Sequence, residues 1–499
     1  MARPGHQVNE DLAPSESELG ARNTTCLANL ESVEAWCTGE PIERSSPVQE
    51  RDERTCCSPQ QLSTWNKVLW SSQLELHHDV RKGLSLVSIC ELFLSRREPP
   101  VLRVTTLAYE LLTRQRFLTA LDVDTAIFSG SEARFSEVLR NNHFIRFLKV
   151  NISALALHRD ICEAIATLAN LEEVECFTVC ECPVDFCAAL AKILRTSTKL
   201  RALRIPNLRM SGTAATVFLP ALLANSTLDE LSFNSSAIGE ACPEHRASFA
   251  KFLANARTMK KLTARAYSEV KPLSLKWILS GLLLNTTATE VTLEGFVVDA
   301  DTADIMTCVL AGNRTLRVLD VKALSNYARV SREGSSTTSR QINFGPWLFA
   351  LLRNETLQAL TLPLKIWEPE QWEELFQSLQ VKGSPLKLTI KGYCSERLLF
   401  EKLCGALQRS GREDQVSFDT TLFMVDRHEM IECKAFSKFH SNPCRDHGQM
   451  SRMLRRLASF AHVTTAHLCI WIPDVDEDQI YNMARYISTA SALKELHLR

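Results

Sequence analysis

The stretch Val309-Leu-Ala-Gly-Asn-Arg-Thr-Leu-Arg-Val-Leu-Asp-Val321 decides the fold. An apolar pair with helical character leads into a turn at Gly312 and Asn313. A short strand pattern follows, with Leu316, Leu319 and Val321 spaced L-x-x-L-x-L. The phrase recurs at Leu222–Phe233 (LLANSTLDELSF), Leu351–Leu362 (LLRNETLQALTL) and Leu283–Leu293 (LLNTTATEVTL). Alternating apolar residues in a short run share one face of a strand. Self-similarity at a fixed period is the signature of a repeat architecture.

Numbered by their first apolar slot, clear copies start at Leu118, Ile145, Leu171, Leu200, Leu228, Met259, Ala288, Leu316, Leu357 and Leu493. Weaker copies keep only the last two slots, at Leu388/Ile390, Val416/Phe418 and Leu468/Ile470. Two long steps, of 41 and 52 residues, mark insertions, and the step returns to 28 after each of them. Before each strand pattern lies a helical one. In Phe186–Leu194, for example, Phe186, Leu190, Ile193 and Leu194 fall on one side. One strand and one helix cannot bury their own apolar faces, so the units must stack into a shared core.

On these residues the chain resembles a leucine-rich repeat protein of the ribonuclease-inhibitor-like type, over roughly 100–499. The resemblance implies an α/β solenoid, a horseshoe with parallel strands inside and helices outside. Such proteins usually carry Asn or Cys three residues after the last strand apolar, as a ladder to neighbouring backbone. Here that position holds Ser153, Val179, Leu208, Ser236, Tyr267, Phe296 and Leu324, so the ladder is expected to be mostly absent and the curvature irregular. Asparagine stands instead before the strand, at Asn142, Asn225, Asn255, Asn285, Asn313 and Asn354, where it suits a helix end or turn.

The composition is that of an ordinary globular chain, 45% hydrophobic and 23% charged over 499 residues. A net charge of -1 makes no electrostatic case for nucleic acid or an anionic membrane. No apolar run is long enough to span a bilayer, and the N-terminus has no signal-peptide core. Seventeen cysteines, an odd number scattered along the repeats, read as reduced thiols in the cytoplasm or nucleus. The Asn-x-Ser/Thr sequons at Asn151, Asn225, Asn234, Asn285, Asn313 and Asn354 are mostly generated by the repeat, and glycosylation is not expected.

Residues 1–60 are rich in Ser, Pro, Glu and Arg and read as a disordered tail. Residues 61–99 read as two helices, one through Leu62, Trp65, Val68 and Leu69, the other through Leu84, Leu86, Val87, Ile89, Leu92 and Phe93, stopped by Pro99-Pro100. They form a helical cap for the solenoid or, through a faint resemblance to an F-box, a recruitment segment. The repeats fill 100–499, with insertions near 325–345 and 419–450. The first is Gly/Ser/Thr-rich and reads as a surface loop. The second holds Cys433, His440, Cys444 and His447, which could supply zinc ligands, but Cys433 lacks the close partner that zinc signatures bring and no metal is expected. Cys176, Cys180, Cys182 and Cys187 read as small buried residues. The chain stops at Leu496-His-Leu498-Arg499, directly after a strand pattern, which reads as a truncated C-terminus.

No phosphate-cradling loop, dinucleotide fingerprint, H-E-x-x-H pair or nucleophile elbow occurs. No enzyme, cofactor or metal is therefore expected. In a solenoid of this kind the residues between the strand apolars face a partner protein. Lys149, Arg204, Arg265, Lys322 and Trp471 are the expected protein-binding residues, because Arg, aromatic and other long side chains anchor interfaces. The expected function is a non-catalytic protein–protein interaction scaffold or adaptor binding on the concave face. Three alternatives stand beside it: an F-box-like ubiquitin-ligase substrate adaptor, a GTPase activator of the nuclear-transport type, and a repeat fragment of an innate-immune receptor.

Overall fold

The computed structural model describes residues 59–89, 106–128, 130–152, 158–178, 181–266, 273–322, 325–326, 344–381, 386–392, 397–423, 432–441, 448, 452–453, 462–469 and 477–498. The tail expected over 1–60 lies almost wholly outside them, as does the body of the insertion near 325–345. The chain divides into two compact units, Met1–Val179 and Cys180–Arg499.

The first unit opens on the helix Pro59–Leu69 and then departs from expectation. The second apolar run is a strand: β1 (Leu74–Asp79) and β2 (Gly83–Ser88) form an antiparallel hairpin, with Asp79 opposite Gly83. Two local features explain this. Gly83 takes φ 78, the left-handed conformation that closes a three-residue hairpin loop. The Asp79 carboxylate accepts the backbone N–H groups of Arg81 and Lys82, at 2.7 and 2.8 Å. These bonds, Lys82 first, hold its pKa below the usual value. Leu84 and Leu86 are buried at period two, which the run of apolar letters had concealed. The expected helical cap is thus one helix and a hairpin. The F-box-like reading loses its second helix over 83–88, and its continuation at 90–105 lies outside the described residues. β3 (Leu118–Asp124), β4 (Phe147–Ile152) and β5 (Glu173–Thr178) follow, with β2 to β5 parallel in order.

In the second unit the sheet runs β6 (Ala202–Ile205), β7 (Glu230–Asn234), β8 (Lys261–Arg265), β9 (Glu290–Glu294), β11 (Val318–Lys322), β13 (Ala359–Pro363), β14 (Lys387–Lys391), β15 (Val416–Phe423), β16 (Phe436–His440), β17 (Thr465–Leu468) and β18 (Glu495–Leu498), all parallel. The two-residue strands β10 (Val297–Val298) and β12 (Ser325–Asn326) pair apart from it. Helices such as Val184–Thr196, Gly212–Ala224, Pro243–Asn255, Leu273–Leu284 and Ala300–Gly312 connect the strands and pack on one another. Each unit is an α/β leucine-rich-repeat solenoid. The decisive slots Leu316, Leu319 and Val321 are buried, as are Phe186, Leu190, Ile193 and Leu194 on the expected helix face. At roughly 2–3 kcal/mol of transfer free energy per buried side chain, these repeating slots supply most of the stabilisation.

The first long step leaves the sheet intact, since Val318 pairs with Ala359 directly. Behind it, three tryptophans are buried with their indole N–H groups satisfied: Trp347 donates to the Ala303 carbonyl, Trp367 to Phe344 and Trp372 to Leu364.

The second long step hides a repeat. The stretch taken for an insertion at 419–450 contains β16, whose slots are Phe436, Phe439 and the buried Ser441. The next strand also sits two residues earlier than the Leu468/Ile470 pattern implied. Its buried slots are Val463, Ala466 and Leu468. A small residue, Ala466, fills a slot where a large one was sought, and that misplaced the register.

The asparagine ladder is present, but before the strand. Asn225, Asn313 and Asn354 end their helices with extended backbone, and Asn285 follows its helix with its N–H bonded to the Gly281 carbonyl. Each side-chain oxygen accepts the N–H groups two and three residues on. For Asn313 these are Thr315 and Leu316, at 2.9 and 2.8 Å. Each amide donates back to the previous helix: Asn225 to Leu194 at 2.9 Å, Asn285 to Leu253 at 2.6 Å, Asn313 to Leu282 at 2.9 Å and Asn354 to Leu310 at 2.7 Å. In the first unit, Asn142 does the same to Leu112. The helix-end carbonyls that would otherwise lack a partner are thereby satisfied. Ladder position is three residues before the first slot. Ser197 fills it in one repeat. Asn255 misses it by one residue and is exposed, and Ala256 stands there instead.

Candidate functional site

Because strand residues alternate sides, each strand of the second unit buries one set and presents the other. Register aligns the presented residues in columns. The central one runs Arg204, Ser232, Thr263, Thr292, Asp320, Thr361, Thr389 and Ser417. To one side stand Glu230, Lys261, Glu290, Val318, Ala359 and Lys387, and to the other Asn234, Arg265, Glu294, Lys322, Pro363, Lys391 and Asp419. The centre is therefore a band of short hydroxyl side chains, with Thr389 and Ser417 hydrogen-bonded at 3.0 Å.

Most of the flanking charges are paired within the chain. Arg204 makes a two-pronged contact with Glu230, at 2.8 and 2.7 Å. The Arg204 hydrogen bond holds the Glu230 carboxyl below its usual range against the opposing effect of burial. Arg265 meets Glu294 at 3.0 Å and Lys322 meets Asp320 at 2.7 Å. Burial pushes Asp419 up, but Lys438 at 2.8 Å and Lys391 at 3.7 Å outweigh it, and its pKa lies below the usual value. In the first unit Lys149 sits on the presented face of β4 and pairs with Asp122 at 2.8 Å. The expected anchors Lys149, Arg204, Arg265 and Lys322 thus all lie on presented faces, each with its charge engaged by a carboxylate. Trp471 lies outside the described residues. In β17 the middle residue is His467 and not Cys469, whose side chain is buried.

That correction exposes a group that the misplaced register had hidden. His440, His467 and His497 share one column. Their rings stack, with centroids 5.9 Å apart between His440 and His467 and 4.3 Å between His467 and His497. Burial, then the neighbouring imidazoles, lowers the His467 pKa, and Glu495 opposes this. His440 therefore does not join Cys433. The Cys433 thiol lies in the core beside Cys404, whose pKa is raised by that hydrogen bond and by burial. Cys444 and His447 lie outside the described residues. Among the described residues no three His, Cys, Asp or Glu side chains converge as metal ligands. Cys176, Cys182 and Cys187 are buried free thiols, with the sulfurs of Cys182 and Cys187 3.2 Å apart, and Cys180 is outside the described residues.

No family model and no curated protein matches the chain. Many solved structures are similar to it. One is the leucine-rich repeat-containing protein LegL7 of Legionella pneumophila, 14% identical, covering 61% of this chain and 93% of its own, with a TM-score of 0.32. Another is the Rad7 and Elc1 complex of yeast, 11% identical, covering 74% of this chain and 81% of the other, also at 0.32. At these scores neither carries weight for function, and the leucine-rich repeat assignment rests on this chain's own slots and register.

Proposed function

We propose that the chain is a non-catalytic interaction scaffold that holds a protein partner against the presented face of the second unit's sheet. Its build, one helix with most strands, fits the ribonuclease-inhibitor-like type. One observation carries the reading: Thr263, Thr292, Thr361, Thr389 and Ser417 line up in register, with Asp320 the charge among them and most of the flanking charges already paired. Short hydroxyl side chains lose little rotamer entropy on docking and can donate or accept. A partner there gains affinity from many modest contacts and meets few unpaired charges that it must desolvate. The free thiols of the described cysteines suit a reducing compartment, and we place the protein in the cytoplasm or nucleus.

The test is affinity purification with mass spectrometry of the full chain, beside a Thr292→Arg/Thr361→Arg double variant whose long side chains obstruct the band. Loss of a specific partner from the variant is the expected result. An unchanged set of partners sinks the reading.

A further inference from the structure

The overall charge of -1 conceals a segregated basic edge. Where the strands of the second unit begin, backbone hydrogen bonds tie one residue from each repeat into a row. The N–H of Asp229 donates to the Arg201 carbonyl, Lys260 to Asp229, Thr289 to Lys260, Arg317 to Thr289 and Gln358 to Arg317, all at 2.8–2.9 Å. A second row, in the turns from helix to strand, holds Ser226, Arg257, Thr286, Arg314 and Glu355. Arg201, Arg257, Lys260, Arg314 and Arg317 are all exposed, against two carboxylates, Asp229 and Glu355. Unlike most cations of the presented face, these five make no ion pair with the described residues.

A cleft of about 530 Å³ opens on the same edge, between the ends of the 212–224 and 243–255 helices. Its cause is local. Ala256 occupies the ladder position, so no side-chain amide ties the end of the 243–255 helix back to its predecessor as Asn225 and Asn285 tie theirs. Leu223, Phe252 and Met259 give the cleft apolar walls, Lys251 and Arg257 are its charged residues, and no carboxylate lines it.

We propose that this edge docks an extended acidic segment of a protein partner, with one apolar side chain of that segment seated in the cleft. Within the strand-start row, Arg201, Lys260 and Arg317 stand on alternate strands. Strands lie about 4.8 Å apart, so these cations recur at roughly 10 Å, which a chain in the extended polyproline II conformation, with three residues per turn and a rise of about 3.1 Å each, matches on one face at every third residue. Asp229, between Arg201 and Lys260, disfavours acids placed out of that spacing. A protein fits better than a single-stranded nucleic acid, because the two rows hold no aromatic residue among their cations on which successive bases would stack, and Phe252 stands apart in the cleft wall. This surface is distinct from the hydroxyl band.

The test is fluorescence anisotropy of the full chain with a labelled peptide that carries glutamate at every third position around one leucine. A single-stranded oligonucleotide of equal charge is the competing probe. The peptide is expected to bind, with salt weakening it. The double variants Arg257→Glu/Lys260→Glu and Arg314→Glu/Arg317→Glu should each reduce affinity by about tenfold or more. All four side chains are exposed, so an unchanged melting profile accompanies the loss. Thr292→Arg/Thr361→Arg should leave peptide binding unaltered, which separates this site from the presented face. No binding of the peptide, binding insensitive to both reversals, or tighter binding of the oligonucleotide overturns the proposal.

Discussion

Asn313 donates its side-chain amide to the backbone carbonyl of Asn285, at 3.1 Å, as well as to Leu282, so one rung of the ladder rests on the rung before it. The same side chain closes its own turn by accepting from Thr315 and Leu316. Both asparagines are buried, at 4% and 3% exposure, and water cannot replace these bonds.

Asn313→Ala therefore strands two carbonyls and two N–H groups. We expect a loss of about 2–3 kcal/mol, read as a lower midpoint in urea unfolding. Asn255→Ala is the control. That side chain is exposed at a helix end and off the ladder, and the change should cost under about 0.5 kcal/mol. Equal effects would show that the ladder adds nothing. The same burial makes Asn225, Asn285, Asn313 and Asn354 poor glycan acceptors in the folded chain, whatever their sequons suggest.

Gly295 has φ 77, and a Cβ there would run into the backbone carbonyl of Ala266 in the neighbouring repeat. Gly295→Ala meets both a left-handed backbone and a rigid obstacle. A loss of roughly 1–3 kcal/mol in the same unfolding measurement is expected. A neutral result would mean that this approach of the two repeats is loose.

Glu230 makes the second unit acid-sensitive through Arg204. Its folded pKa lies below the ordinary value of 4.5. The stability it adds is present above that value and is lost as pH falls through the lower, folded one. Arg204→Gln should flatten the dependence of unfolding midpoint on pH in that acid window and leave the slope near pH 7 alone. An unchanged acid profile would contradict the assignment.

His467 titrates in the opposite sense to a histidine in an ion pair. Its folded pKa lies below 6.5, so protonation opposes folding and stability falls as pH drops from about 6.5 toward that lower value. In His497→Gln the nearest like-charged ring is gone, and the NMR titration of His467 should move up toward the ordinary range. No movement would show that stacking with His497 has no electrostatic consequence.

The repeat was legible because large apolar residues mark the slots. Leu316, Leu319, Leu357 and Leu360 needed nothing beyond counting. It failed where a slot is small or polar. Ala466 and Ser441 carry no hydrophobic signal, so one strand was misplaced by two residues and another was taken for an insertion. The hairpin at 74–88 failed for another reason: Leu84, Leu86 and Val87 fit either period over so short a run, and only Gly83 and Asp79 decide it. At the site, spacing placed Lys149, Arg204, Arg265 and Lys322 on the right side of their strands. It could not show their carboxylate partners, which come from neighbouring strands for Lys149, Arg204 and Arg265 and from the same strand for Lys322. Nor could a summed charge reveal that cations gather along one border.

The eight-residue strand β15 pairs with β14 through Val416–Asp419 but, after an irregularity, with β16 through Thr421–Phe423. This hand-over displaces everything beyond it sideways. Ser417 ends the hydroxyl band near one end of β15, whereas His440 lies opposite Phe423 at the other, about 16–20 Å further along the strand direction. The two tracks are therefore parallel lanes and not one road. A ligand laid straight along the threonines passes the imidazoles by, and a molecule that touches both must step across at β15.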